Sequence, residues 1–132
     1  MNMASLFDLT GKTALVTGGS SGIGNAVATA LACAGARVIL VARDTAALAQ
    51  AVERLRAKNL QAEQMTADLS LPETANTCAT EALKKYPEID ILVNAAGVNL
   101  RQSFTEVTPK AWNQQINLLL AAPFFMTQGL AP

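Results

Sequence analysis

The chain reads Lys12-Thr13-Ala14-Leu15-Val16-Thr17-Gly18-Gly19-Ser20-Ser21-Gly22-Ile23-Gly24 near its amino end, and this stretch decides the fold. Residues 12–17 form a short apolar run, which predicts a β-strand at Thr13–Thr17. Residues 18–24 are mostly glycine and serine, and they favour neither a strand nor a helix. An amphipathic helix pattern follows, with Ile23, Val27 and Leu31 spaced four residues apart. The order therefore predicts a strand, a tight turn and a helix.

The predicted turn has the chemistry of a phosphate-binding site. Glycines let the backbone turn tightly and approach an anion without a Cβ in the way. The helix that follows directs its free N–H groups and the positive end of its dipole at the turn, and Ser20 and Ser21 add hydroxyl donors. No Lys-Ser/Thr pair follows Gly24, which argues against a P-loop for nucleoside triphosphates. A dinucleotide diphosphate fits this turn, and a plain strand-to-helix loop is the alternative.

Strands and helices alternate along the rest of the chain. Apolar runs predict further strands at Arg37–Ala42, at Ala62–Thr66 and at residues 89–93, with a first helix over residues 25–34 and a second that ends near residue 58. The alternation predicts one α/β domain over residues 1–132, a Rossmann-type doubly wound parallel sheet. Right-handed crossovers give the strand order 3-2-1-4, with a ligand crevice at the carboxyl ends of the first and fourth strands.

Glycine, proline and serine residues mark the expected helix ends. Gly35 is expected to close the first helix in a left-handed conformation. Ser70 is the expected N-cap of the third helix, with Pro72 in its first turn. The last helix opens at Thr108, and Pro123 is expected to kink it.

The composition excludes several classes of function. The net charge is zero, so the chain has no basic face for nucleic acid and no polybasic patch for a membrane surface. No apolar run reaches the length of a membrane span, and the start lacks the layout of a signal peptide, which predicts a cytoplasmic protein. The chain has no histidine, so no metal site and no histidine-based triad is expected. Cys33 and Cys78 are expected to be small buried hydrophobes, the alternatives being a disulfide or a reactive thiol.

The run Thr17-Gly18-Gly19-Ser20-Ser21-Gly22-Ile23-Gly24, with a strand before it and a helix after it, closely resembles the signature of the classical short-chain dehydrogenase/reductase family. The resemblance implies an oxidoreductase that transfers a hydride between a nicotinamide cofactor and a small-molecule carbonyl or alcohol. It places the cofactor-binding residues of the turn at Gly18, Ser20, Ser21, Gly22, Ile23 and Gly24.

Arg43 follows the second strand, where a dinucleotide fold meets the adenosine ribose. An acid there selects NAD, whereas an arginine suits the 2′-phosphate of NADP. By the resemblance the NAD-selecting acid would fall at Ala42, which cannot play that role. Asp44 is the competing cue for NAD, and a pair of solvated turn residues is the third interpretation. We predict NADP as the cofactor, with NAD as the alternative.

The resemblance assigns four further places. Asp68 would bond the adenine amino group, and the backbone N–H of Leu69 would contact the same ring. The run Asn94-Ala95-Ala96-Gly97 resembles the family's Asn-Asn-Ala-Gly turn, with Ala95 in place of the second asparagine. Asn117 matches the helix asparagine that holds a water in a proton relay to the catalytic lysine, and it is the catalytic residue we predict; a structural hydrogen bond is its alternative role.

The family's remaining catalytic groups are a serine and a Tyr-x-x-x-Lys pair, and these 132 residues contain no such pair. The one tyrosine, Tyr86, is followed by a proline and is expected to be structural. We therefore expect the amino-terminal part of a longer reductase, inactive alone and lacking the carboxyl-terminal strands. The alternative is a half-domain that binds NADP weakly and catalyses nothing. An open edge at the fourth strand and an apolar face around Trp112, Leu119 and Phe124 indicate a part of the fold that a longer chain or another chain supplies. The resemblance places the last helix in a subunit interface, which implies a homo-oligomer.

Overall fold

A computed structural model of the chain describes residues 2–132. The strands are β1 (Thr13–Thr17), β2 (Arg37–Ala42), β3 (Ala62–Thr66) and β4 (Ile91–Asn94); the helices are α1 (Met3–Leu6), α2 (Gly22–Cys33), α3 (Thr45–Arg56), α4 (Pro72–Lys85), α5 (Pro109–Ile116) and α6 (Ala122–Leu130). A 3₁₀ turn covers Phe104–Glu106, and a π-helical turn covers Asn117–Ala121. The residues group into two compact units: residues 2–66 with 88–95, and residues 67–87 with 96–132.

The first unit holds the sheet, whose four strands run parallel in the order β3-β2-β1-β4. This confirms the predicted order 3-2-1-4. The two central strands are buried on both faces because their runs of Leu, Val and Ile lack alternation. The register pairs Thr17 of β1 with Val41 on one side and with Asn94 on the other. The carboxyl ends of β1, β2 and β4 therefore meet at one edge of the sheet.

Helix α2 turns its smallest residues toward the sheet. Gly24, Ala28 and Ala32 form its buried stripe, whereas Ile23 is 80% exposed. The predicted apolar stripe of Ile23, Val27 and Leu31 was therefore wrong, because each buried residue lies one position later in the chain. Side chains no larger than a methyl group let the helix axis lie close to the strands, and the larger residues then flank the contact.

Helix α3 completes the core of the first unit with larger side chains. Its buried residues are Leu48, Ala51, Val52 and Leu55. Burying one such leucine or valine stabilises the fold by about 1.5–3 kcal/mol. The helix ends at Arg56, slightly before the predicted end near residue 58.

In the second unit, α4 and α6 pack through small residues. A Cβ on Gly129 of α6 would lie 2.5 Å from the Cβ of Ala79 of α4, so the two helices approach closely. The buried residues of α4 are Ala75, Cys78, Ala79 and Ala82. Burial raises the pKa of the Cys78 thiol to about 11.

Proline shapes the last helical stretch. Thr108 caps α5 by accepting a hydrogen bond from the N–H of Ala111, at 3.2 Å. Before Pro123 the helix widens, and the N–H of Ala122 bonds the carbonyl of Asn117 in an i→i+5 pattern. Because proline has no N–H, the carbonyl of Leu119 loses its usual i+4 donor, and a wider turn accommodates this loss.

Two helix starts differ from the predictions. Helix α2 begins at Gly22 rather than at residue 25, because a cost of about 1 kcal/mol per glycine is smaller than the gain from packing the helix on the sheet. The N-cap of α4 is Leu71 and not Ser70. The N–H of Ser70 instead donates to the carboxylate of Asp68, at 3.0 Å, which holds Ser70 outside the helix.

Cys33 was predicted to be buried and is exposed, whereas Cys78 is buried as predicted. Cys33 directly follows Ala32 of the buried stripe, so it points about 100° away around the helix. No disulfide joins the two cysteines, since both are free. Among residues 2–132, no helix is both long and apolar enough to cross a membrane.

Asp90 fastens the start of β4 to the start of β1. Its carboxylate accepts hydrogen bonds from the N–H of Thr13 at 2.9 Å and from Nζ of Lys12 at 3.1 Å. Its own N–H donates to the carbonyl of Thr13, also at 2.9 Å. These bonds explain why β4 begins at Ile91 and not at the predicted residue 89.

Replacing the Asp90 carboxylate should lower stability only where the carboxylate is charged. The Thr13 N–H and then the Lys12 ammonium lower the pKa of Asp90. A carboxyl group whose pKa is depressed in the folded state stabilises the fold above its unfolded pKa, about 3.9, and loses this effect as the pH falls through the folded value. Asp90→Asn should therefore lower Tm by a few degrees at pH 7.

Thermal unfolding of the two proteins at pH 7 and at pH 2–3 measures this difference. The gap in Tm should close at the lower pH, and an equal gap at both would contradict the role of the charge. Glu88→Gln is the matched control, because Glu88 is exposed and forms no hydrogen bond within residues 2–132. Its Tm should equal that of the wild type at both pH values.

Candidate functional site

The turn after β1 depends on glycine at defined points. Gly18 has φ +64° and Gly22 has φ +55°, both in the left-handed region where other residues are strained by about 1–2 kcal/mol. A Cβ on Gly24 would collide with the carbonyl oxygen of Gly18. The first turn of α2 therefore lies directly against the end of β1, in a way that only a hydrogen at this Cα allows.

The same turn presents a run of free backbone donors. The N–H groups of residues 20–24 make no hydrogen bond to any residue from 2 to 132. The first N–H of α2 with a protein acceptor is that of Asn25, which donates to the carbonyl of Ser21 at 3.2 Å. A helix start leaves its first N–H groups without partners and carries positive partial charge. The site can therefore bind the oxygens of an anion through several N–H groups at once, with the Ser20 and Ser21 hydroxyls beside them.

Thr17 links the turn after β1 to the turn after β4. Its hydroxyl donates to the carbonyl of Val93 at 3.4 Å and accepts from the N–H of Ala95 at 3.1 Å. The side chain is 2% exposed, so these bonds form away from water and hold the start of the Asn94-Ala95 turn. This role of Thr17 was not predicted; the available signal was a polar residue at the end of an apolar strand.

The carboxylate of Asp44 is engaged by the helix that it precedes. Its Oδ1 accepts a hydrogen bond from the N–H of Ala47 at 3.0 Å, which makes Asp44 the N-cap of α3. Arg43 is exposed, and it forms no ion pair within residues 2–132. One oxygen of Asp44 is thus bonded to α3, whereas the exposed Arg43 guanidinium carries no such bond.

The remaining predicted site residues lie in the second unit. Asp68 is exposed, and its carboxylate accepts a hydrogen bond from the N–H of Ser70. Leu69 is buried. Gly97 is exposed, and a Cβ there would lie 3.1 Å from the side chain of Leu119. Asn117 is half-buried at the start of the π-helical turn, where its carbonyl accepts the N–H of Ala122.

The predicted residues are thus divided between the units. The first unit brings together the turn at residues 18–24, Arg43, Asn94 and Ala95, whereas Asp68, Leu69, Ala96, Gly97 and Asn117 belong to the second. No group of three or more His, Cys, Asp or Glu side chains within the described part of the chain could hold a metal ion.

Comparison with known proteins agrees with this geometry. The family model for the short chain dehydrogenases matches residues 12–132. The rhamnolipids biosynthesis 3-oxoacyl-(acyl-carrier-protein) reductase of Pseudomonas aeruginosa is 37% identical over 130 residues, which cover 98% of this chain and 50% of that protein. The 2-dehydro-3-deoxy-D-gluconate 5-dehydrogenase of Bacillus subtilis is 37% identical over 122 residues, which cover 92% of this chain and 47% of that protein.

A solved structure matches the whole chain. The 3-oxoacyl (acyl-carrier-protein) reductase of Agrobacterium tumefaciens, crystallised with NADP bound, aligns with a TM-score of 0.93 at 34% identity and covers 100% of this chain and 51% of that one. The chain therefore spans about half the length of the relatives that it matches.

Proposed function

Because the chain belongs to the short chain dehydrogenase family, whose model matches residues 12–132, we propose that it forms the cofactor-binding half of an NADP-dependent oxidoreductase. The proposed reaction transfers a hydride between the nicotinamide and a small-molecule carbonyl or alcohol. The relatives from Pseudomonas aeruginosa and Bacillus subtilis are named as a reductase and a dehydrogenase, which supports this reaction class.

One observation carries the proposal. The free N–H groups of residues 20–24 lie at the start of α2. The backbone conformation of this turn requires glycine, because φ is positive at Gly18 and Gly22 and a Cβ on Gly24 would collide with Gly18. Such a group of donors suits a diphosphate, since each phosphate oxygen can accept more than one hydrogen bond. The NADP in the Agrobacterium tumefaciens reductase of the same fold supports a dinucleotide as the anion.

We propose that the other predicted residues bind further groups of the same cofactor. Arg43 would bind the 2′-phosphate through charge-assisted hydrogen bonds and so favour NADP over NAD. Asp68 and the N–H of Leu69 would contact the adenine, and the small residues Asn94-Ala95-Ala96-Gly97 would let the cofactor lie close to the backbone. The capping role of Asp44 gives this carboxylate a structural function, because one of its oxygens is bonded to α3.

Bound NADP supplies or accepts the hydride at its nicotinamide. The chain's own contribution is to hold the dinucleotide and, through Asn117, to place a water for a proton relay. The π-helical turn at Asn117–Ala121 supports this second role, since such turns are frequent at functional sites. The one tyrosine, Tyr86, is followed four positions later by Asp90, so residues 1–132 contain no Tyr-x-x-x-Lys pair. Hydride transfer by residues 1–132 alone is therefore not expected.

Calorimetric titration of the chain with NADPH and with NADH tests the proposal. Both should give heat, and NADPH should bind about tenfold or more tightly because of its 2′-phosphate. If neither NADPH nor NADH gives heat, the proposed function is contradicted. A parallel assay of NADPH oxidation over a panel of ketones separates the two forms of the proposal: binding without turnover supports the non-catalytic half-domain.

We also propose a homo-oligomer and a cytoplasmic location. Trp112, Leu119 and Phe124 are each more than half exposed along α5, the π-helical turn and α6, and such an apolar face supports association. The cytoplasmic location agrees with the proposed use of NADP, a soluble redox carrier.

A further inference from the structure

Asn25, in the first turn of α2, reaches back to the phosphate turn. Its side-chain Nδ2 donates to the carbonyl of Gly19 at 2.9 Å, and its backbone N–H donates to the carbonyl of Ser21 at 3.2 Å. The residue is half-buried. One residue thus binds two carbonyls of the turn, and the first of these bonds requires a side chain that can donate.

The bond to Gly19 fixes the direction of a neighbouring donor. The peptide between Gly19 and Ser20 is planar and trans, so its carbonyl and the N–H of Ser20 point in opposite directions. With the carbonyl held by Asn25, the Ser20 N–H is directed away from that side chain and stays without a protein acceptor. The N–H of Gly19 is also held, because it donates to the carbonyl of Val41 at 3.2 Å.

Without this bond no hydrogen bond within residues 2–132 would hold the Gly19 carbonyl or the Ser20 N–H. Rotation of this peptide changes ψ of Gly19 and φ of Ser20, and glycine tolerates ψ values that other residues do not. A rotated Gly19–Ser20 peptide would replace an N–H donor by a carbonyl oxygen, which repels an anion. An asparagine amide supplies the donor without adding charge beside the phosphates, which an aspartate could not do.

We propose that Asn25 is a positioning residue for the phosphate groups of the cofactor, acting through the Gly19–Ser20 peptide. This assignment rests on the proposed function, because it takes the N–H groups of residues 20–24 as the anion site. Asn25 itself touches no reacting atom.

Asn25→Leu removes the donor and keeps a side chain of similar size. Calorimetry at 25 °C should show NADPH binding weakened by about five- to tenfold. In ¹⁵N–¹H spectra the Ser20 amide should shift before any cofactor is added, and the ³¹P shift of the bound diphosphate should approach its free value. A purely structural role would lower Tm yet leave unchanged the Kd of the folded protein and the ³¹P shift of the bound diphosphate.

Thr29→Ala is the matched control, since the Thr29 hydroxyl bonds only the Asn25 carbonyl within α2, at 2.8 Å. Its NADPH affinity should equal that of the wild type. Asn25→Ala, a good helix former, replaces the leucine variant if that protein does not fold. Equal NADPH affinity in the wild type and in the Asn25 variant overturns this assignment alone, whereas a wild type that binds neither NADPH nor NADH overturns the proposed function and this assignment with it.

Discussion

The Gly24→Ala variant is expected to bind NADPH about a hundredfold more weakly and to lose about 1–3 kcal/mol of unfolding free energy. The added methyl would meet the carbonyl oxygen and carbon of Gly18, which are backbone atoms and cannot rotate aside. Alanine is the better helix former by about 1 kcal/mol, so the clash must exceed that gain. Either α2 or the end of β1 must move, and the donors of residues 20–24 move with it.

Urea denaturation and calorimetry with NADPH measure the two effects on the same protein. Gly11→Ala is the control, because Gly11 has φ +81° but no atom within 4 Å of the added Cβ. Backbone strain should cost that variant about 1–2 kcal/mol and leave the Kd for NADPH unchanged. Wild-type affinity in Gly24→Ala would show that the close contact with Gly18 does not shape the anion site.

Arg43→Ala should weaken NADPH binding by about ten- to a hundredfold while leaving NADH binding unchanged. Hydrogen bonds to charged groups contribute about 1.5–3 kcal/mol, and only NADPH carries the 2′-phosphate that would accept them. Because Arg43 is exposed, the loss should shrink as salt is added. Calorimetry with both cofactors at two ionic strengths measures these differences.

Arg37→Ala is the matched control, since Arg37 is an exposed arginine at the opposite end of β2. It should bind both cofactors as the wild type does. An equal loss of NADPH and NADH affinity in Arg43→Ala would show that Arg43 supports the fold and does not select the 2′-phosphate.

Strands were predictable from the sequence wherever a run of apolar residues had clear limits. β1, β2 and β3 have the predicted bounds, because glycine, charged or polar residues enclose each run. Which face of α2 is buried could not be predicted in this way. That helix is apolar on several sides, and only the distance of its axis from the sheet decides that Ala28 and Ala32 face inward while Ile23 faces water.

The anion-binding chemistry of the turn could be predicted from its glycines, but the side-chain hydrogen bonds that hold the turn in place could not. Thr17 and Ala95 are 78 residues apart in the chain, and no local pattern foretells their hydrogen bond. Asn25 has a local partner, yet its reach to Gly19 depends on where the helix begins, which was predicted three residues too late. In the sequence, Arg43 indicated NADP and its neighbour Asp44 indicated NAD. The structure distinguishes them because the Asp44 carboxylate caps α3.

The cap that Asp44 provides for α3 limits which residues at the end of β2 can be replaced to change the cofactor preference. Replacing Asp44 would remove this cap, a loss of about 1 kcal/mol. A designer seeking an NAD-using descendant would instead place the acid at Ala42, the last residue of β2, and remove the guanidinium beside it. The helix would keep its cap through such a redesign, so cofactor preference and helix stability could be varied separately.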